Sequence, residues 1–566
     1  MDSSQWVVRP VDASVAQALQ GAGAPPLLAR ALAARGAQIE DLQEPSLRDL
    51  LPFTALKGIG QAATLLADAI GAGKKIVIIA DYDADGATAC AVGLRALRAM
   101  GGQVDYLVPN RLTMGYGLTP EVVQLAHLKQ AALLVTVDNG IASVAGVAAA
   151  NALGIPVIVT DHHLPGDVLP EAAAIVNPNQ PGCPFPSKAL AGVGVMFYVM
   201  LALRAELRRR GAWQDRPEPQ LGSLLDLVAL GTVADVVRLD RNNRLLVGAG
   251  LRRMTSGQAL AGIAALYRIA GRDPARATSA DLGFVLGPRL NAAGRMEEMT
   301  HGIECLTSDD PNAALRLAQR LDAFNRDRRD VEGTMQEAAL ENLDALEVGQ
   351  RYTLSLYDRD WHPGVIGLLA SRIKDRFHRP VVTFAAGTVA DEIRGSGRSI
   401  AGFHLRDALD QITKRDPDLI LRFGGHAAAA GLTLRTRDLA RFDAAFEAVA
   451  REWLTPADLA LQVEYDGTAI SSEMTMPTAE ALRTQVWGQG FPEPLFGGQF
   501  DVLQQRVVGE RHLKLKLQHQ DRAFDAILFG HSDPLPEHIQ ALFHLTINEW
   551  NGNRQLQMEL RHWRVV

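Results

Sequence analysis

Two α/β lobes followed by a small β-barrel are the fold this sequence predicts, and three observations carry it. Between about residues 56 and 176, apolar runs of strand length alternate with periodic segments of helix length. That alternation marks a mainly parallel, doubly wound sheet. It resumes in shorter units from about 351 to 455. The remainder turns to short strands separated by turns, which suits a small barrel.

Composition sets the outer bounds. With 566 residues the chain is too long for one core, so several domains are expected. A hydrophobic fraction of 47% and a charged fraction of 21% are ordinary for a globular protein. No apolar run is long enough to span a bilayer. The opening residues Met1 to Trp6 lack a basic-then-apolar signal pattern. Cys90, Cys183 and Cys305 are scattered and odd in number, which suggests neither a disulfide framework nor a zinc site. The expectation is a reduced, cytoplasmic protein without membrane association. A net charge of −7 argues against a protein that coats nucleic acid indiscriminately, but local patches decide binding.

In order along the chain, residues 1–50 read as a small helical lead-in, from Ala/Leu-rich runs such as Pro26 to Leu32. Gln61–Ala72 looks helical, Ile76–Ala80 a strand and Ala87–Met100 a helix stopped by Gly101 and Gly102. Gln103–Val108 reads as a strand, and Pro120–Leu128 as a helix. Leu133–Val137 reads as a strand, Ser143–Leu153 as a helix and Val157–Thr160 as a strand. Residues 51–310 form the first lobe, with a helical region beginning near 188. The charged stretch 311–350 reads as a solvated connecting helix. In the second lobe, 351–455, Tyr352–Tyr357 and Pro380–Phe384 look like strands and Pro363–Arg376 a helix. Residues 456–566 hold the barrel, with strands at Asp501–Gly509, His512–Gln518, Phe524–Phe529, His544–Asn548 and Gln555–His562. Five such strands are those of an OB-like fold.

Chemistry concentrates at strand ends. Asp81, Asp83 and Asp85 follow the first strand at alternate positions, and Gly86 closes the run. Taken alone, this run could be a solvated acidic turn. Asp138 follows another strand, and Asp161, His162 and His163 a third. In a parallel sheet all three endings lie along one edge. Crowded carboxylates need compensating positive charge, and acids with imidazoles supply oxygen and nitrogen ligands. A metal site is therefore expected. Asp235, in the apolar run from Asp226 to Val237, is either a further ligand or the N-cap of the next helix. Ser396 and Arg398, and Gly424, Gly425 and His426, offer hydroxyl, guanidinium, bare backbone and imidazole, as oxyanion or phosphate contacts do.

These residues carry a resemblance. Asp81-x-Asp83-x-Asp85-Gly86, Val137 to Gly140, Asp161-His162-His163 and Gly231 to Asp235 resemble, in order, the four motifs of the DHH-family phosphoesterases. Phe423 to His426 resembles the signature of the associated DHHA1 domain. The likeness covers nearly the whole chain, including Gly115 to Gly117, Gly287 to Arg295 and the barrel, and its metal motifs show no departure. It points to the branch of the family that degrades single-stranded DNA exonucleolytically from the 5′ end.

The resemblance implies a DHH parallel-sheet domain and a smaller DHHA1 α/β domain joined by a long helix, then an OB-like barrel. It implies two ions, Mn2+ or Mg2+, about 3.5–4 Å apart. Asp83 and Asp81 would hold one; Asp85, His162 and Asp235 the other; Asp138 would bridge them. Asp161 would orient a histidine and His163 would contact the scissile phosphate. Arg111, Ser396 and Arg398 resemble a pocket for the terminal 5′-phosphate. Without the resemblance, Arg111 and Arg398 are equally surface ion-pair residues. Arg289, Asn291, Arg295, Gly424, Gly425 and His426 are candidates for holding DNA. The cleft between the lobes should admit one strand, and Lys514 and Lys516 could guide it or be ordinary edge-strand lysines. The implied partners are single-stranded DNA, single-strand-binding protein and a RecQ-type helicase. The chain is expected to be a monomer. Rival readings are a small-nucleotide phosphodiesterase or polyphosphatase of the same family, usually shorter and without the barrel, and a non-catalytic single-strand binder, which would not need every carboxylate.

Overall fold

Trp6, Val7 and Val8, residues that favour extended backbone, open the described chain as strand β1 (Gln5–Val8). The lead-in expected to be helical therefore begins with a strand, whose partner, residues 462–465, lies too far along the chain for local pattern to reveal. The structure is a computed structural model that describes residues 5–42, 46–109, 114, 116–344, 350–387, 389–509, 511–550 and 553–566. The chain divides into two units: residues up to Val8 with Arg326–Tyr465, and Arg9–Asn325 with Asp466–Val566.

The larger unit starts with helices α1 (Ala13–Gly21), α2 (Pro26–Ala33) and α3 (Ile59–Gly71). Its sheet follows: β2 (Lys75–Ala80), α4 (Ala84–Ala99), β3 (Gln103–Leu107), α5 (Pro120–Leu128), β4 (Leu133–Val137), α6 (Val144–Ala152), β5 (Val157–Thr160) and β6 (Ala174–Val176). All pairings are parallel, in the order β3-β2-β4-β5-β6. Side-chain alternation sorts the strands between two cores. Ile76, Ile78, Leu133, Val135 and Ile158 pack on the face that carries α3, α4 and α7 (Gly192–Arg209). Val77, Ile79, Leu134, Val157 and Val159 pack against α5 and α6. Both faces are thus covered, which is why β2 reads as an unbroken apolar run. The chain leaves β2 outward to β3 and then crosses back to β4. The strand order reverses between β2 and β4, and their C-terminal ends flank the crevice where such sheets bind ligands.

Helices α8 (Leu225–Ala234) and α9 (Arg241–Thr255) pack beyond α7 and α4. A 34-residue helix, Pro311–Asp344, runs through the expected connecting segment.

The smaller unit holds β7 (Leu354–Tyr357), β8 (Val381–Ala386), β9 (Glu392–Arg398), β10 (Arg422–Gly425) and β11 (Ala429–Arg435), in the order β10-β11-β9-β8-β7. Within this sheet, among the described residues, only β7 and β8 pair in parallel. β12 (Gln462–Tyr465) pairs with β1.

Five antiparallel-rich strands close the barrel: β13 (Phe496–Val508), β14 (His512–His519), β15 (Arg522–Leu528), β16 (His538–Trp550) and β17 (Asn553–Val565). They include all five expected strands. β13, β16 and β17 run longer than their apolar patterns suggest, because mutual pairing rather than burial continues them. Among the described residues no single helix is long and apolar enough to cross a membrane.

A buried ion pair ties α2 to the entry of the barrel. The Arg35 guanidinium donates to both oxygens of Asp466 at 2.6 and 3.0 Å, and each side chain is 1% exposed. Asp466 also accepts from the Leu495 amide at 3.0 Å. Removing the cation from such a pair leaves a buried charge behind. Arg35→Met is therefore expected to lose about 3 kcal/mol in chemical denaturation; a loss below about 1 kcal/mol would contradict this role for the pair.

Candidate metal centre

Each sheet strand delivers its acid through a local hydrogen-bond device. After β2, Asp81 is 4% exposed and accepts from the Tyr82 amide at 2.7 Å. Asp83 is the N-cap of α4, accepting from the Gly86 amide at 3.0 Å. The solvated-turn alternative for this run does not hold, since Asp81 and Asp85 are buried. Asp85 turns into the first turn of α4 and accepts from the amides of Gly192 at 2.7 Å and Val193 at 2.8 Å. These are the first amides of α7, so the positive end of a helix faces this carboxylate. After β4, Asp138 takes a left-handed backbone, φ 62°, and its amide donates to the Thr160 carbonyl at 3.0 Å. After β5, Asp161 accepts from the amides of Ile141 at 2.9 Å, His162 at 2.7 Å and His163 at 3.1 Å. Its Oδ1 also holds Nδ1 of His163 at 2.8 Å.

Asp235 ends α8 as its C-cap, not as the N-cap of the next helix. The N-cap of α9 is Asp240, which accepts from the Asn243 amide at 2.9 Å. Asp235 thus remains free to face the cluster. The next residue, Val236, has φ 62° and is 64% exposed, a strained conformation for a β-branched side chain.

The side chains converge. Nε2 of His162 lies 3.0 Å from Oδ1 of Asp138, 3.5 Å from Oδ2 of Asp235 and 3.9 Å from Oδ2 of Asp85. Oδ1 of Asp138 is also 4.0 Å from Nδ1 of His163. Ligand atoms gather in three groups, each within 4.8 Å: Asp81, Asp83 and Asp138; Asp85, His162 and Asp235; and Asp138, His162 and His163.

Electrostatics set these groups against one another. Burial, and then repulsion by Asp83, pushes Asp85 up to about 7 despite its two amide donors. Burial and then neighbouring acids hold Asp81, Asp138 and Asp235 well above the ordinary carboxylate range. Burial and the charge on His163 push His162 down to about 4. Burial also opposes charge on His163, but its bond to Asp161 and the surrounding acids outweigh that and raise it to about 9. Asp161 stays below the usual value: burial raises it, and its contacts with His163 more than offset this.

This set fits divalent cations. Oδ1 of Asp138 and Nε2 of His162 are both buried and neither has a hydrogen-bond partner, although they stand 3.0 Å apart. Buried polar atoms are normally satisfied. A cation among carboxylates and a neutral imidazole would satisfy both and remove the repulsion.

Comparison with known proteins decides the family. The sequence pattern of the DHH family's N-terminal domain matches residues 75–232, that of the DHHA1 domain 349–452 and that of the RecJ OB domain 465–562. The protein named single-stranded-DNA-specific exonuclease RecJ from Escherichia coli (strain K12) is 50% identical over 549 residues, covering 94% of this chain and 95% of that one. The chain belongs to the RecJ family. The RecJ of Salmonella typhimurium is equally similar, 50% identical with the same coverage. Among solved structures, RecJ from Thermus thermophilus in complex with Mn2+ superposes with a TM-score of 0.82 at 31% identity, over 99% of this chain and 79% of that one.

Set in this RecJ-family chain, the expected metal residues Asp81, Asp83, Asp85, Asp138, His162 and Asp235 meet in one place, with Asp161 and His163 beside them. The expected DNA-holding residues of the helix Gly287–Met296 are anchored within the chain. Arg289 is 8% exposed and donates to Asp322 at 2.9 Å and the Val285 carbonyl at 2.6 Å. Asn291 accepts from the Ala84 amide at 2.8 Å and so holds the start of α4. Arg295 lies half-buried on the same helix. Gly294 of this helix has room for nothing larger: a Cβ there would stand 1.7 Å from the Tyr82 carbonyl oxygen.

In the smaller unit, Arg398 donates to Oγ of Ser396 at 3.2 Å and to the Gly397 carbonyl at 2.8 Å. Gly424 and Gly425 end β10, and His426 opens the hairpin to β11, exposed, its amide donating to the Ala429 carbonyl at 2.8 Å. Arg111 lies outside the described residues.

Sequence reasoning missed several residues that shape the site. Tyr116 donates its hydroxyl to the Asp138 carbonyl at 3.2 Å, and its ring meets His163 edge-on at 6.1 Å. Asn177 and Asn179 donate to the carbonyls of His163 at 2.9 Å and His162 at 2.6 Å. Two asparagines directly after a sheet strand, β6, were the available signal.

Two outcomes are expected. Asparagine tolerates the left-handed backbone at position 138, so Asp138→Asn should remove charge without strain. The metal-free variant should melt at a higher temperature than the parent and lose the rise in Tm that Mn2+ produces; a lower Tm with that rise retained would contradict the electrostatic reading. Carboxylates with raised pKa hold protons that a cation must displace. Apparent Mn2+ affinity, measured calorimetrically, should therefore increase from about pH 6 to about pH 8, and a flat profile would count against it.

Proposed function

We propose that this chain is a metal-dependent hydrolase that degrades single-stranded DNA from the 5′ end, releasing 5′-mononucleotides, in DNA repair and recombination. The observation that carries this is the pair of ligand groups, Asp81/Asp83/Asp138 and Asp85/His162/Asp235, with Oδ1 of Asp138 in the first 3.0 Å from Nε2 of His162 in the second. Membership of the RecJ family supports the substrate, and the Thermus relative in complex with Mn2+ supports the ion class.

Bound Mn2+ or Mg2+ would make water acidic enough to yield hydroxide, the nucleophile toward phosphorus, and would offset charge on the transferring phosphate. Asp138 would bridge the two ion positions. Asp85 would keep its ligand oxygens oriented through the Gly192 and Val193 amides. Asp161 fixes Nδ1 of His163, leaving Nε2 as the ring donor. A ring N–H held in this way is suited to a non-bridging phosphate oxygen. No covalent nucleophile is required, and Cys90, Cys183 and Cys305 are all buried.

Direction would come from recognition of the terminal phosphate. Ser396 and Arg398 lie side by side on β9, and a Cβ on Gly367 would stand 2.9 Å from Oγ of Ser396 and 3.0 Å from Nη2 of Arg398. A hydroxyl and a guanidinium beside the first turn of the helix Ile366–Phe377 are the parts of a phosphate cradle. Single-strand-binding protein and a RecQ-type helicase are proposed partners by family resemblance.

Single strands labelled in turn at each end, with Mn2+ present, test the proposal. The 5′ label should leave first as mononucleotide while the 3′ label stays on shortening fragments; loss of the 3′ label first would contradict the polarity. Arg398→Ala should lower kcat/KM on 5′-phosphorylated strands by at least about tenfold and leave 5′-hydroxyl strands less affected. Equal losses on both would remove the phosphate cradle.

A further inference from the structure

Apart from the acid cluster, the larger unit carries a cavity of about 500 Å3 formed by the segment after α2, by α9 and by the residues following the helix Met476–Arg483. Its size is that of small-molecule sites. Leu32, Leu251 and Phe491, all buried, contribute apolar surface. Five arginines line it: Arg241, Arg244, Arg252, Arg276 and Arg483. The acids of the lining are Glu40 and Asp41.

The pairing in this cavity leaves positive charge in excess. Asp41 is shared by Arg244 at 2.7 Å and Arg241 at 3.7 Å. Glu549 is shared by Arg276, by Arg483 at 3.7 Å and by Arg554 at 3.0 Å. Arg276 also meets Asp273 at 3.9 Å and Arg554 meets Glu480 at 2.8 Å, so the excess rests on Arg241 and Arg483. Arg241 and Arg483, 51% and 39% exposed, stand beyond hydrogen-bond distance of these acids. A second device lies beneath them: the Arg244 guanidinium covers the Phe491 ring at 4.1 Å. Phe491 in turn stacks on Trp487 at 5.4 Å. Cationic forks around an aromatic stack match a ligand that is planar at one end and a phosphate at the other.

We propose that this cavity binds a nucleoside phosphate at a site separate from the acid cluster, with Arg241 and Arg483 on the phosphate and the Arg244–Phe491 stack beneath the base. The cationic charge gathers around one cavity rather than along a stripe, which suits a compact ligand over an extended acidic peptide.

The full-length chain, stripped of metal with EDTA, is titrated with deoxyadenosine monophosphate, deoxyadenosine, inorganic phosphate and a glutamate-rich hexapeptide. The monophosphate should bind and raise Tm, while the nucleoside and phosphate alone bind at least about tenfold more weakly. Arg241→Ala/Arg483→Ala should weaken the monophosphate by at least about tenfold, whereas Asp138→Asn should not change it. Photolabelling of the unaltered chain with 8-azido-deoxyadenosine monophosphate should mark α9 or the residues around Phe491, which keeps the test independent of how the double variant folds. Undiminished binding by a folded double variant, label confined to other segments, phosphate binding as tightly as the nucleotide, or tighter binding of the peptide would each overturn the assignment. So would loss of binding in Asp138→Asn, which would place the nucleotide at the acid cluster.

Discussion

Repulsion among Asp81, Asp83, Asp85, Asp138 and Asp235 is the constraint on which the rest of the structure depends. Burial removes the water that would screen these charges, and most of the group is driven well above the ordinary carboxylate range. The fold answers with fixed dipoles. Two amides at the start of α7 face Asp85, and three backbone amides with one imidazole face Asp161. Asp161 is held below the ordinary carboxylate range in this way, whereas Asp81, Asp85, Asp138 and Asp235 stay above it. The uncompensated remainder is what a pair of cations would complete, in the manner of sites that keep strain for function.

The scaffold explains why this crowding is possible. Strand order reverses between β2 and β4, so the two loops that follow them diverge and leave a crevice at the sheet edge. Close approach then sets the spacing. A Cβ on Gly192 would lie 2.7 Å from Cβ of Asp138, so the start of α7 can reach the acids only as glycine. Asn291 and Gly294 bring the helix Gly287–Met296 equally close to the loop after β2.

Much of this was legible in the residues themselves. Apolar runs ending in acids mark buried parallel strands, and parallel topology places their ends together whatever the intervening chain does. The three endings at Asp81, Asp138 and Asp161 were therefore readable as one site. Contacts that depend on tertiary approach were not. Nothing local to Arg289 reveals its buried partnership with Asp322. The pairing of β1 with β12 spans more than four hundred positions, beyond the reach of periodicity. By sequence Asp235 could cap the helix that follows it, and only the end of α8 and the start of α9 show that this cap is Asp240.

The shared position of Asp138 makes the number and coupling of bound ions the decisive property. Electron paramagnetic resonance of the metal-stripped chain titrated with Mn2+ reads both at once. Two equivalents per chain, with the spectrum of an exchange-coupled pair, are the predicted result. A single equivalent, or two ions with uncoupled spectra, would contradict a centre bridged by Asp138.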